Sequence, residues 1–417
     1  MINHLYEGLQ VLESEAKPLS PIERLKAING PLLSWYDSHA RVLPWRETPE
    51  AYRVWISEIM LQQTRVEAVK PYYARFMEAL PDVKALAEVE DERLMKLWEG
   101  LGYYNRARNL KKAAGVIISD YGGQVPETYE ELLKLPGIGS YTAGAISSIA
   151  FGHPVPAVDG NVLRVLSRVL ESHEDILKQS VKKHFEELLR ETMPKERTSA
   201  FTQGMIEIGA IVCVPNGKPK CEECPLESLC LAKRHGLLDS IPYKTPKKPR
   251  KIEEKTILLI CSSQKTEIRK RPDQGLLASL YEFPNTDHYL TADEVREYLE
   301  KEQGIIVESV EPLGNAKHIF SHVEWHMNGY LVQTDQIPGQ YLAVERQELQ
   351  NRYAIPNAFQ AYYQKLMEVL ACGKRADETV SDECSGSVYQ GGLGCDSPYY
   401  PGGSGCDQCG SKTGGGF

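Results

Sequence analysis

Hydrophobic positions recur with a helical period through the first 240 residues or so. Leu94, Leu97, Trp98 and Leu101 fall at i, i+3, i+4 and i+7, which predicts one apolar helix face opening near Asp91. Val162, Val165, Leu166 and Val169 repeat that spacing directly after Asp159-Gly160-Asn161. Two-residue alternation is scarce from Pro21 to about Ser240, so this block reads as all-α. Between Ile241 and Lys251 three prolines and five cations argue against a helix and mark a linker. Beyond it come short β-type runs, Thr256 to Cys261 and Ile305 to Val310. Around His322 to Asn328, Val323, Trp325 and Met327 alternate with polar neighbours. With a helical stretch at Ala292 to Gln303, this makes an α+β domain ending near Leu370. From Ala371 onward Gly, Ser and Asp dominate, which predicts a disordered tail.

A chain of 417 residues is long enough for two or three cores. The predicted organisation is an N-terminal extension (1–21), a helical domain (22–240), a linker (241–253), an α+β domain (254–370) and a tail (371–417). No run approaches 18 apolar residues, and Met1 to Gln10 lacks a basic-then-apolar signal. The expectation is a cytosolic protein with no membrane partner, or a nuclear or organellar one in a eukaryote. A net charge of −9 argues against simple coating of nucleic acid, yet a local basic stripe suffices to follow phosphates. Gly102 to Lys112 carries Arg106, Arg108, Lys111 and Lys112 with Tyr103 and Tyr104 and no acid, and the linker is a second stripe. Either reads equally well as solvated surface.

Of ten cysteines, five lie after residue 371, Cys261 stands alone, and four run Cys213-x7-Cys221-x2-Cys224-x5-Cys230. Four thiols within eighteen residues, with no secretory signal, are metal ligands rather than disulfides. The spacing leaves a structural zinc and a [4Fe–4S] cluster both open. Leu135-Pro136-Gly137-Ile138-Gly139 separates one helical stretch ending near Lys134 from another starting near Tyr141. Such a turn lets backbone N–H groups approach a phosphate. Asp159, just ahead of a helix, is by itself an ordinary N-cap.

The hairpin "LPGIGSYTAGAI", then "VDGNVLRVLSR", then the four-cysteine loop resembles the helix-hairpin-helix DNA glycosylase superfamily. "LPWR" at 43–46, "VWISEIMLQQTRV" at 54–66 and "WEGLGYYNRARNL" at 98–110 narrow the resemblance to the MutY family of adenine glycosylases. It spans roughly residues 22 to 370. The resemblance implies that Asp159 stabilises positive charge at the sugar C1′ and that Glu58 protonates adenine and helps activate water. Ile56, Ile59, Met60 and Leu61 around Glu58 suit a carboxyl held protonated in a low-dielectric pocket. Tyr141 stands where strand-cleaving relatives carry lysine. That implies a glycosylase without lyase activity whose Tyr141 phenol bonds Asp159, with Asn161 beside it. Arg46, Gln203 and Trp45 are implied to hold the extruded adenine. Gln63 and Tyr103 are implied to enter the duplex, Thr64 and Leu101 to lie beside the opposite base, and Gly137 and Gly139 to meet phosphate.

The resemblance also favours [4Fe–4S] over zinc, although the family's usual first gap is one residue shorter. "GLLASLYEFP" at 275–284 and "HIFSHVEW" at 318–325 are similar to the family's Nudix-like domain, in which Phe320, Ser321 and His322 would sense 8-oxoguanine. The nearest acidic Nudix-type cluster, Arg296 to Gly304, is out of register, so recognition rather than hydrolysis is expected there. The implied partner is duplex DNA with A:8-oxoguanine or A:G mispairs, bound by a monomer. The rivals are a related glycosylase for thymine mispairs or oxidised pyrimidines, and a silent damage-binding protein. Tyr141, Gln203 and the Phe-Ser-His segment speak against the first. Glu58, Asp159, Tyr141 and Asn161 kept together speak against the second.

Overall fold

A computed structural model describes residues 18–246, 248–335 and 339–376. Among them, Pro21 to Arg234 contain helices and no strand, as the apolar period predicts. The helix opening at Asp91 stops at Trp98, earlier than the period alone implies. Gly100 and Gly102 follow at φ +98° and +69°, a conformation no helix continues through. Leu101 nonetheless stays buried, in a loop rather than on a helix face. The second periodic stretch forms a helix over Gly160–Leu170, capped by Asp159.

Two apolar cores fill this block. Trp55, Ile56, Ile59, Phe76, Trp98 and Ile146 belong to one. Leu32, Val158, Val162, Leu166, Phe185 and Ile208 belong to the other. The helix Ala51–Leu61 packs into the first and the helix Gly160–Leu170 into the second, so Glu58 and Asp159 arrive from different cores.

The second half is a mixed sheet of β1 (Lys251–Ser262), β2 (Lys265–Lys270), β3 (Tyr281–Glu282), β4 (Asn285–Thr286), β5 (Val307–Ile319), β6 (Val323–Thr334) and β7 (Leu342–Glu345). Its order is β3-β2-β1-β6-β5, with β4 against β1 and β7 against β2. β1 runs parallel to β6 from Lys251↔Val323 to Cys261↔Gln333, and β5 returns antiparallel along β6. Ile257, Leu259 and Cys261 of β1 feed one core, while Leu258 and Ile260 feed another. Both faces of that strand are covered, which is why it reads as a continuous apolar run. Tyr362, Leu366 and Leu370 of the helix Gln360–Ala376 lie on the first face. Val295 and Leu299 lie on the second.

Three boundaries differ from the sequence expectation. β1 begins at Lys251, inside the predicted linker, because the parallel ladder to Val323 starts there. The last helix runs past Leu370 to Ala376. The helix from Ala292 becomes a π-turn over Tyr298–Glu302. The π-turn lies within the Arg296–Gly304 cluster. Its charges are spent locally, Arg296 on Glu300 and Lys301 on Glu297. The expectations for 1–17 and for 377–417, including Cys406 and Cys409, fall outside the described residues.

Candidate active site

Glu58 sits on the helix Ala51–Leu61 and is 7% exposed. Burial pushes its carboxyl up to about 7, with Asp159 adding to the rise and Tyr141 and Arg46 opposing it. Asp159 is partly exposed, and burial raises it too, against several hydrogen bonds that favour its charge. Oδ1 accepts from the backbone N–H groups of Asn161 (2.9 Å) and Val162 (2.8 Å), and Oδ2 accepts from Asn161 Nδ2 (2.7 Å). The two acids are therefore unequal: one lies in apolar surroundings, the other in a nest of donors.

The resemblance sends the Tyr141 phenol to Asp159. In the structure it donates instead to Glu58 Oε2 at 2.5 Å. Asp159 is already held by three hydrogen bonds from Asn161 and Val162, while the Tyr141 phenol lies against Glu58. Burial and the two neighbouring carboxylates hold the Tyr141 proton far more tightly than in a free phenol, so Tyr141 is a neutral donor.

Arg46 reaches the same place from the short helix Pro44–Glu47. Its guanidinium bonds Glu207 (2.8 Å) and the Arg41 carbonyl (3.0 Å). Glu207, fully buried, also takes Arg41 at 2.6 Å, and the two cations hold its carboxyl down at about 2 against the pull of burial. Sequence reading missed Glu207. The available signal was its place one turn beyond Gln203 on the helix Thr198–Ile211. Gln203 itself donates to Ser199 (3.1 Å). Trp45 is buried edge-on to Tyr73, beneath the site rather than at its surface. Gly209 of the same helix packs on Asn161 so closely that a Cβ would lie 2.5 Å from the Asn161 Cβ.

Gln63 is exposed at φ +58° and Tyr103 is 49% exposed at φ +48°, while Thr64 is partly buried beside the first. Leu101, expected beside the opposite base, is 7% exposed and packs in the first core between Gly100 and Gly102. In the hairpin, Gly137 has φ +77° and any Cβ there would meet Asn109 at 2.6 Å. Gly139 is the exposed N-cap of the helix Ser140–Ala145. The expected basic stripe is divided: Arg106 turns inward, while Lys111 and Lys112 stay at the surface. Arg106 bonds five backbone carbonyls, Arg108 bonds Asn105 and the Ala278 carbonyl, and Lys111 pairs with Asp91.

Cys213, Cys221, Cys224 and Cys230 all line one pocket enclosing about 390 Å³ of empty space, part of it open to solvent. Among the described residues no three His, Cys, Asp or Glu side chains converge as for a single metal ion. The four thiols still share one partly open pocket, a soft donor set of the kind that holds zinc or an iron–sulfur cluster. Burial pushes the Cys224 thiol up to about 12 and raises Cys221 and Cys230, so thiolates there need cationic charge. The longer first gap is taken up in a loop closed by Lys220 N–H to the Val212 carbonyl, with Gly217 at φ +77°. Arg168 donates to Cys213 Sγ at 3.1 Å. Arg164 joins the Cys213 carbonyl (2.6 Å) to Asn161 Oδ1 (2.8 Å), so one helix links the thiol loop to the Asp159 cap.

Phe320, Ser321 and His322 form the turn between β5 and β6, closed by Phe320 N–H to the Val323 carbonyl. Phe320 packs edge-on against Trp325, leaving Ser321 and His322 exposed at the tip.

Residues 56–191 match the family described as HhH-GPD superfamily base excision DNA repair protein, and residues 256–365 match the NUDIX domain. The chain is 34% identical over 392 residues to the adenine DNA glycosylase of Mus musculus, covering 80% of this chain and 75% of that one. It is 35% identical over 309 residues to the adenine DNA glycosylase of Buchnera aphidicola subsp. Acyrthosiphon pisum (strain APS), covering 73% and 86%. Among solved structures, a non-covalent endonuclease III–DNA complex aligns with 53% of this chain and 99% of that one, at 28% identity and a TM-score of 0.46.

Proposed function

The chain belongs to the adenine DNA glycosylases of base excision repair, and we propose that its substrate is adenine paired with 8-oxoguanine or guanine in duplex DNA. The observation that carries the chemistry is the Tyr141–Glu58 hydrogen bond beside the capped Asp159. Adenine leaves readily only when protonated, and general acid catalysis contributes ~10²–10⁴-fold. Glu58, neutral near pH 7, donates its proton to the adenine ring as the N-glycosidic bond breaks. Asp159, ionised among its donors, lies opposite the positive charge developing at C1′. The Glu58 carboxylate then accepts the proton of the water that attacks C1′, which restores the acid. With Tyr141 where a lyase would hold an amine, the product is an abasic site in an unbroken strand.

Arg46 and Gln203 hold the hydrogen-bonding edges of the extruded base, above Trp45. Gln63 and Tyr103 enter the stack, Thr64 flanks the opposite base, and the hairpin at Gly137 and Gly139 meets phosphate. Ser321 and His322, exposed on a turn braced by Phe320, read the altered N7–H and O8 edge of 8-oxoguanine. The four cysteines would hold a [4Fe–4S] cluster. Bound there, it supplies the cationic charge that the buried thiolates require and braces the loop tied to Asn161. Iron with acid-labile sulfide in purified protein supports this assignment; stoichiometric zinc without iron overturns it.

Three duplexes test the activity: A opposite 8-oxoguanine, A opposite G, and T opposite G, each followed by alkali. Adenine release from the first two alone is expected. Thymine release, tight binding without release, or strand breakage before alkali would each overturn the reading.

A further inference from the structure

Arg106 is placed unlike the other cations of its stretch. Its side chain turns inward and spans two loops that are 40 residues apart in sequence. Nη1 donates to the carbonyls of Ile59 (2.7 Å), Met60 (3.2 Å) and Gln62 (2.8 Å), at the end of the Glu58 helix. Nη2 donates to the carbonyls of Leu101 (3.0 Å) and Gly102 (3.1 Å). The guanidinium plane also lies over Trp98 (5.4 Å) and over Tyr103 (5.6 Å).

Each of those loops carries one residue held in the left-handed region with a non-glycine side chain, Gln63 in one and Tyr103 in the other. Such conformations persist only where surroundings over-determine them. For both loops the shared constraint is the same guanidinium. A planar fork with two terminal amines can serve two loops at once; an ammonium on a flexible stem cannot.

We propose that Arg106 is a positioning residue that locks the Gln63 and Tyr103 loops into one rigid wedge, so that both side chains enter the duplex together as adenine is extruded. Arg106 acts through its bonds to the two loops, its terminal nitrogens being engaged by five backbone carbonyls. The proposal rests on the reading of Gln63 and Tyr103 as the side chains that fill the stack. Extrusion demands that the gap be filled as it opens, and two loops moving independently would fill it out of step.

Arg106→Lys tests it in the full chain, with 2-aminopurine beside the target adenine to report unstacking. The expected result is single-turnover adenine release slowed about 100-fold, with the unstacking phase slowed in parallel and the pH profile of release unchanged. Wild-type unstacking and release in Arg106→Lys would overturn it. So would slow release with normal unstacking and a displaced pH profile, which would assign Arg106 to the Glu58 helix alone. Should that variant not fold, hydrogen exchange of the wild-type protein decides. Amides of 61–64 and 101–104 are expected to open at one common rate, and separate rates would overturn the proposal. Failure of the underlying activity is distinct: wild-type protein would then unstack the duplex yet release no adenine.

Discussion

Glu58 is an acid because of where its helix lies, and that placement has a thermodynamic signature. Its folded value of about 7 stands above its ordinary 4.5, so the folded state binds the proton more tightly than the unfolded one. Stability from this group is complete below the unfolded value and is lost as pH rises through the folded one. By pH 8 the loss is about 3 kcal/mol. Glu58→Gln, neutral and of the same shape, is therefore expected to melt above wild type at pH 8 and close to it at pH 5, while releasing no adenine and still binding the lesion. Equal melting differences at both pH values would contradict the buried-acid account. On the proposed chemistry the same group sets the alkaline limb of the rate, because release would need its proton. Tyr141 stabilises the carboxylate, so Tyr141→Phe should move that limb to higher pH, measured as single-turnover rate against pH. A limb moving to lower pH would refute the assigned donor. The sequence disclosed Glu58, Tyr141 and Asp159 because each stands in a long motif. It did not disclose which acid the phenol serves, since that depends on how the helix carrying Tyr141 packs against the helix Ala51–Leu61. Nor did it disclose Glu207, whose partner Arg41 is 166 residues away.

The helix Gly160–Leu170 does two things with one residue, and substitution can separate them. Asp159 caps the helix through Oδ1 and presents its charge to the site. Asp159→Asn keeps an oxygen for both backbone N–H groups but turns its NH2 on the Asn161 amide donor, so the cap is retained at the loss of that one bond, while adenine release should fall about 100- to 1,000-fold, the usual loss when a fixed electrostatic partner is removed. Asp159→Ala should lose the same activity and, in addition, about 1 kcal/mol of stability through the missing cap. If both variants melted alike, the cap would carry no weight. Apolar spacing made this helix plain in advance, along with the buried strand β1. The same rule overran at Leu101, because periodicity counts side chains and cannot see Gly100, whose absent Cβ would lie 2.1 Å from the Tyr72 hydroxyl. The π-turn at Tyr298–Glu302 had no sequence signal, because it is a change of backbone hydrogen bonding inside a stretch whose composition reads as helix.

Across the whole molecule, the helix Asp91–Trp98 and the loop after it form the seat of the second domain. Glu92 takes Tyr281 and Arg352, Lys96 donates to the Tyr353 carbonyl at 3.1 Å, and Glu99 accepts the Ile355 N–H at 2.8 Å. Asn357 donates to the Gly100 carbonyl, and Leu280 and Ala354 complete the first helical core. These partners lie between 189 and 260 residues apart, so no local pattern announced them; the sequence showed two domains and a linker, not their docking. Here the seat continues directly into the loop that holds Tyr103, and the docked domain carries the Ser321–His322 turn. Lys96 is the most telling probe, being 18% exposed with its ammonium shared between Glu99 and carbonyls of the other domain. Lys96→Met removes the bond to the Tyr353 carbonyl and the ion pair with Glu99, and hydrogen bonds to a charged group are worth about 1.5–3 kcal/mol each. The expected consequence is faster proteolytic cutting in the 241–250 linker and a fall of about tenfold in the preference for A:8-oxoguanine over A:G, from a loss on the order of 1.4 kcal/mol in relative recognition. The rate on A:G should barely move, because Glu58 and Asp159 lie wholly within the helical domain. Equal losses on both duplexes would place the effect of Lys96 in the catalytic core and not in the docking of the reading domain.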